Sequence, residues 1–211
     1  MLITKILKSR RERNRYEVFV DEKSALTVSE SVLARSGLYD GKPIDQETID
    51  GLSLADSRER AHQTAVNFIS YRPRSSKEVS DKLTRKGFGA DLVRAEVEQL
   101  RSLMLINDLE FARMFIRDKL RGKPMGRALL RRKLLEKGIS FQATERVLKE
   151  YVTDETELEA ARALATRKLK ASRARFSNLE PPMRQKRLAD YLLNRGFSTE
   201  VAYKIARSIS R

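Results

Sequence analysis

The sequence has no cysteine, one histidine, five prolines and nine glycines among 211 residues. Without cysteine there is no disulfide, no thiolate nucleophile and no cysteine-bound metal. The single histidine, His62, argues against an imidazole metal site or a His-centred triad. Uninterrupted apolar runs are short, as in Leu103-Met104-Leu105-Ile106, whereas a membrane-crossing helix needs about 18. The opening residues, Met1 to Lys8, show neither the apolar stretch nor the small-residue cleavage site of a secretory signal. The expectation is a soluble cytoplasmic protein with no membrane association. Scarce glycine and proline leave helix formers dominant, which predicts a mainly α chain.

Positive charge is what the sequence has in excess. Lys and Arg number 44 against 29 Asp and Glu, for a net charge of +15. Residues 1–56 hold 9 cations and 10 carboxylates, and residues 57–211 hold 35 and 19. Self-repulsion on that scale opposes compactness, so it points to a polyanionic partner: nucleic acid or an acidic protein surface. The length suits one or two domains or a short repeat array.

The first 56 residues read as a small β-containing head. Strands are expected at 2–7 and 15–20, joined by the polar turn Ser9-Arg10-Arg11-Glu12-Arg13-Asn14, with a third at Leu26-Thr27-Val28. Ser29 is placed to cap a short helix ended by Gly37 or Gly41, and a further short helix is expected around Gln46–Leu52.

From Asp56 the apolar period becomes helical and the chain repeats. Lys82-Leu83-Thr84-Arg85-Lys86-Gly87-Phe88 recurs as Lys133-Leu134-Leu135-Glu136-Lys137-Gly138-Ile139 and as Tyr191-Leu192-Leu193-Asn194-Arg195-Gly196-Phe197. Each is a helix end with a cation facing the negative dipole end. A glycine then takes the left-handed position, and an apolar residue folds back. Asp56/Glu59, Asn107/Glu110, Asp154/Glu157 and Ser75/Glu78 have capping-box spacing. Pro124 and Pro181-Pro182 suit first turns of middle helices. The fold class predicted is mainly α: three tandem three-helix repeats (57–106, 107–153, 154–211) after the head (1–56). Stacked units would form an elongated, curved array. A basic, mobile connection is weighed for Lys168 to Arg175, where the third repeat departs most.

Two different repeat signatures occur in order. Ala61, Ala65, Arg72-Pro73-Arg74-Ser75, Glu78, Leu83 and Lys86-Gly87-Phe88 make the first. Asp108, Phe111-Ala112, Gly122-Lys123, Leu134 and Lys137-Gly138-Ile139 make the second. Together they resemble the RecX regulatory proteins, clearly over 57–152 and more weakly over 153–211. The head is similar to the N-terminal extension of longer members. The resemblance implies a non-enzymatic regulator of recombination and repair that binds the RecA recombinase. Such proteins lodge in the groove of the RecA filament on single-stranded DNA and bridge neighbouring subunits. They limit filament growth and damp ATP hydrolysis, strand exchange and co-protease action; DNA binding is also implied. Three repeats on one chain would favour a filament over free RecA through effective concentration.

Candidate contacts to RecA and DNA are cations at helical spacing. In the second repeat these are Arg113, Arg117, Arg121, Lys123, Arg127, Arg131, Arg132 and Lys133. The first offers Arg72, Arg74, Lys82 and Arg85, and the third Lys168, Lys170, Arg173 and Arg175. Arginine suits bidentate contact with carboxylate or phosphate. Ordinary solvated helix charge is the competing reading for each. Reversing Arg127 and Arg131 together is expected to weaken binding and leave melting nearly unchanged. Phe68, Phe111, Phe115 and Phe141 read as core residues rather than base-stacking platforms. No cofactor, metal or catalytic constellation is expected, and the chain is read as a monomer. The alternative is a DNA-binding helix-turn-helix protein without RecA specificity, which would need base-edge readers on an exposed helix.

Overall fold

The computed structural model of the protein describes residues 1–10 and 12–209, excluding the side chains of Arg175 and Ser177. Arg11 of the expected polar turn lies outside the described residues. The chain divides into two compact units: Met1–Arg72 with Val79–Leu103, and Pro73–Glu78 with the chain from Met104 onward.

The first unit opens with an antiparallel sheet in the order β1 (Ile3–Lys8), β2 (Arg15–Val20), β3 (Lys23–Ser29). β3 starts earlier than the expected Leu26. Asp21 and Glu22 both take positive φ, so a two-residue turn lets Lys23 pair directly with Val20. Ile3, Val18, Val20, Leu26 and Val28 share one core with Val32, Ile44 and Ile49. Ser29 caps α1 (Glu30–Ser36) by accepting the Val32 N–H, and Gly37 ends it at φ +59°.

α2 runs unbroken from Gln46 to Ser70. The short helix expected at Gln46–Leu52 and the helix expected from Asp56 are therefore one element. Asp56 is no N-cap. It is buried in mid-helix, where both carboxylate oxygens accept from the Arg15 guanidinium at 3.1 and 2.8 Å and one accepts the Ser29 N–H at 2.7 Å. A helix-starting residue type is used instead to tie α2 to the sheet. α3 (Ser76–Arg85) and α4 (Ala90–Ser102) follow. Ser75 and Glu78 form the expected reciprocal box at the start of α3.

In the second unit, α5 (Asp108–Arg121), α6 (Arg127–Glu136) and α7 (Phe141–Tyr151) enclose a core that includes Phe111, Ile116, Leu130, Leu134 and Leu148. α8 (Asp154–Ala171), α9 (Arg173–Ser177), α10 (Pro181–Asn194) and α11 (Thr199–Ile209) enclose another around Leu164, Phe176, Leu188, Leu192 and Ile205. Leu120 packs against both. Three local expectations change. Pro124 precedes α6, whose cap is Gly126. Thr153, not Asp154, caps α8, which frees Glu157 for another contact. The Lys168–Arg175 stretch is helical rather than a loose connector, and buried Phe176 pins it to the core. Asn107 caps α5 as expected, and Pro181-Pro182 occupy the first turn of α10.

The three glycine turns are alike. Gly87, Gly138 and Gly196 take φ of +86°, +80° and +83°. In each, the glycine N–H and the following apolar residue's N–H reach back to the helix: Phe88 to Leu83, Ile139 to Leu134, Phe197 to Leu192. This is the paired hydrogen bonding of a left-handed helix end. The starts of α3 and α6 dock on the glycine turns of the repeats that follow. The Ser75 hydroxyl donates to the Lys137 carbonyl at 2.7 Å, and Lys137 Nζ pairs with Glu78 at 2.5 Å. At the next junction Gly126 N–H donates to Arg195 O at 2.9 Å and Ala128 N–H to Gly196 O at 3.1 Å. A Cβ on Gly126 would lie 2.2 Å from Gly196 backbone atoms, so only glycine fits.

Candidate basic interface

The sixteen expected contact residues divide by what already holds them. Several brace the repeats internally. Arg131 on α6 grips Glu145 on α7 with two hydrogen bonds of 2.5 and 3.0 Å. That contact raises the Arg131 guanidinium above its ordinary value and lowers the Glu145 carboxyl. Arg113 on α5 pairs with Glu110 at 2.5 Å and Glu150 at 3.2 Å, and the Glu110 hydrogen bond raises its guanidinium too. Arg127 donates to the Val152 carbonyl, while its backbone N–H donates to buried Glu157 at 3.0 Å. Arg127 and Arg131 thus join α6 to α7 and to α8. The expectation that reversing both leaves melting unchanged does not survive this geometry. Arg132 and Lys133 lie more loosely beside Glu136, at 3.6 and 3.8 Å.

A second group is held over aromatic rings. Lys82 Nζ lies 5.5 Å from the Phe68 ring, Arg117 5.8 Å from Tyr151 and Lys168 5.1 Å from Tyr191. Ring quadrupoles orient a cation without neutralising it, so these side chains keep their full charge for a partner. Arg195 over Tyr191 belongs to the same group, and Lys119 over Phe115 is held likewise but also pairs with Asp118 at 3.3 Å. Sequence reading missed both, although each ring lies one helical turn back, at i−4, a spacing the sequence does show.

A third group is exposed and makes no ion pair or hydrogen bond among the described residues: Arg121, Lys123, Lys170 and Arg173. Arg121 and Lys123 flank Gly122, whose carbonyl accepts from Arg167 on α8 at 3.1 Å. That bond draws the α5–α6 link to the basic end of α8, where Lys168 and Lys170 follow. The bond therefore sets Arg167 of the third repeat beside the link that carries Arg121 and Lys123 of the second, a cluster of cations from two repeats. Arg167, its organiser, was also missed; its only sequence signal was membership of a basic helix end. The remaining candidates do not join that cluster through any described contact. Arg85 is turned onto its own helix at the Asp81 carbonyl, 3.1 Å away. Arg72 is exposed and Arg74 partly buried in the Pro73 segment. The side chain of Arg175 lies outside the described residues.

The aromatic residues are mostly structural. Phe111 is buried and stacks on Phe115 at 6.3 Å, and Phe68 carries Lys82. Phe141 is a correction: it is 64% exposed at the first position of α7, beyond the reach of the repeat core. His62 donates to or accepts from buried Glu96 at 2.9 Å. Among the described residues no three His, Cys, Asp or Glu side chains come together as a metal site, and no helix is long and apolar enough to cross a membrane.

Three family models match in tandem: the RecX first three-helix domain over residues 61–100, the second over 107–148 and the third over 155–205. A regulatory protein RecX of Listeria monocytogenes is 32% identical over 202 residues, covering 96% of this chain and 73% of the relative. One of Bacillus pumilus is 33% identical over 202 residues, covering 96% and 75%. Among solved structures, a crystal structure of regulatory protein RecX aligns with a TM-score of 0.70 at 27% identity, covering 98% of both chains. RecX from Lactobacillus salivarius aligns with a TM-score of 0.64 at 28% identity, covering 74% of this chain and 97% of the other.

Proposed function

The chain belongs to the RecX family of regulatory proteins, and from that premise we propose that it binds the RecA recombinase and restrains its filament on single-stranded DNA. It acts in the cytoplasm without chemistry of its own, by occupying the filament groove and limiting extension, ATP hydrolysis and strand exchange. The observation that carries this reading is the Arg167–Gly122 bond, which brings the link bearing Arg121 and Lys123 to the basic end of α8. Arg121, Lys123 and Lys170 there are exposed and unpaired among the described residues, and Lys168 is held over a ring without being neutralised, which suits a surface for acidic side chains or phosphates. The first and third repeats add Lys82 and Arg173, so contacts could be distributed over neighbouring RecA subunits. That arrangement favours polymer over free subunit.

The test is the rate of DNA-dependent ATP hydrolysis by the cognate RecA as this protein is titrated in. Suppression below one protein per RecA subunit is expected. Suppression only at stoichiometric ratios, relieved by excess DNA, would replace the filament reading with simple competition for DNA.

A further inference from the structure

We propose that the cavity between α8, α9 and α10 is an anion site for the phosphate ester of a single nucleotide unit. The proposal rests on the reading above in one respect, that the basic surface also meets the phosphates of the filament's DNA strand, and assigns that contact a place. The cavity measures about 540 Å³, within the span of small-ligand sites, roughly 300–1,000 Å³. Buried Phe176 and the half-buried Tyr191 ring line it on the apolar side, and Lys168, Ser172, Arg187, Asp190 and Asn194 bring polar atoms to it.

The wall is rich in unused donors. Lys168, in the last turn of α8, is held 5.1 Å from the Tyr191 ring, which fixes the ammonium and leaves its charge intact. Arg187 on α10 is exposed and makes no ion pair among the described residues. The Ser172 hydroxyl and Asn194 amide line the same cavity and make no side-chain hydrogen bond among the described residues. Asp190 is the one carboxylate in the wall, and it pairs with neither cation. Two cations, a hydroxyl and an amide against one carboxylate make a donor-rich, net positive pocket. A lysine point charge beside an arginine fork matches the several oxygens of a phosphate. The larger cavity, about 1080 Å³ against α1, α2 and α4, differs in kind. There Glu59 and Glu96 offset Arg35 and Arg58, so it offers a phosphate no net attraction.

The full-length protein would be titrated with inorganic phosphate, with 5′-dTMP and with a labelled oligo-dT. Amide resonances report on the cavity and anisotropy on affinity. Resonances of Ser172, Tyr191 and Asn194 are expected to move. A shift with dTMP and oligo-dT means that free nucleotide has access; a shift with oligo-dT alone means that a strand is needed. Both outcomes support the site. Lys168→Gln with Arg187→Gln should abolish the shifts and weaken oligo-dT binding about tenfold. The double-logarithmic salt slope should fall by about 0.7, the share of one phosphate on a single strand. Asp190→Asn should tighten binding, which a mere loss of folding would not do. Arg162→Gln removes one charge from α8 outside the cavity, as Lys168→Gln does within it, and should change affinity less than about twofold. If the strand binds with its full salt slope while the cavity resonances stay still, the assignment falls and the DNA reading stands. If the wild-type protein binds no oligo-dT, the DNA reading falls, and a still cavity under dTMP and phosphate overturns the site as well.

Discussion

Arg131 shows how differently one side chain reads in sequence and in space. At helical spacing from Arg127 it looks like part of a solvated ridge. In the fold it is clamped to Glu145, with side chains only 34% and 37% exposed. Nothing local to α6 signals this, because the partner comes from another helix. Charge reversal at Arg127 and Arg131 should place like charges against Glu145 and Glu157 and orphan the Val152 carbonyl. We expect a loss of about 2–4 kcal/mol, read by urea denaturation, because the buried Glu157 is involved. The Glu145 carboxyl is lowered chiefly by its hydrogen bond from Arg131. A lowered carboxyl contributes stability above its unfolded value, about pH 4.3, and loses it as pH falls through the folded value. Wild type should therefore exceed Glu145→Gln by under about 1 kcal/mol near neutrality, given the exposure. That margin should vanish in acid; a margin that grew on acidification would contradict the sign.

At the scale of the element, the glycine turns were the most legible feature, because everything that makes them is local. The cation, glycine and apolar residue sit consecutively, and the backbone follows. What was not legible is that two of the three turns are also docking sites. A Cβ on Gly87 meets nothing within 4 Å, but one on Gly138 would lie 2.5 Å from Lys77 Cβ. One on Gly196 would lie 2.4 Å from both Leu129 N and Cβ. Alanine at Gly87 should cost only the left-handed strain, about 1–2 kcal/mol. At Gly138 and Gly196 overpacking adds about 1–3 kcal/mol more, with Gly196 the worse because backbone must move. Equal costs at all three, measured by chemical denaturation, would show that the junctions yield freely. The continuity of α2 escaped notice for a related reason. Asp56 with Glu59 reads as a helix start, and the contacts of Asp56 with Arg15 and Ser29 that make it a helix-interior residue arise in the sheet.

Over the whole molecule, sequence placed the charge in the right half but could not sort it. Ion pairs across helices remove Arg113, Arg127 and Arg131 from easy use, rings orient Lys82, Arg117 and Lys168, and Arg121, Lys123, Lys170 and Arg173 stay unpaired. Sorting required knowing which helices face each other. The connection read as a mobile segment became α9 because Phe176 buries, and that in turn built the cavity around Lys168. We propose that the unpaired and ring-held cations, not the bracing ones, engage the partner. The most direct measurement is the affinity of the labelled protein for preassembled RecA–single-stranded-DNA filaments, comparing wild type with Arg121→Gln/Lys123→Gln/Lys170→Gln. At least a tenfold loss is expected, about 1.4 kcal/mol, with an unchanged melting temperature, since none of the three holds the fold. Wild-type affinity in that variant would contradict it.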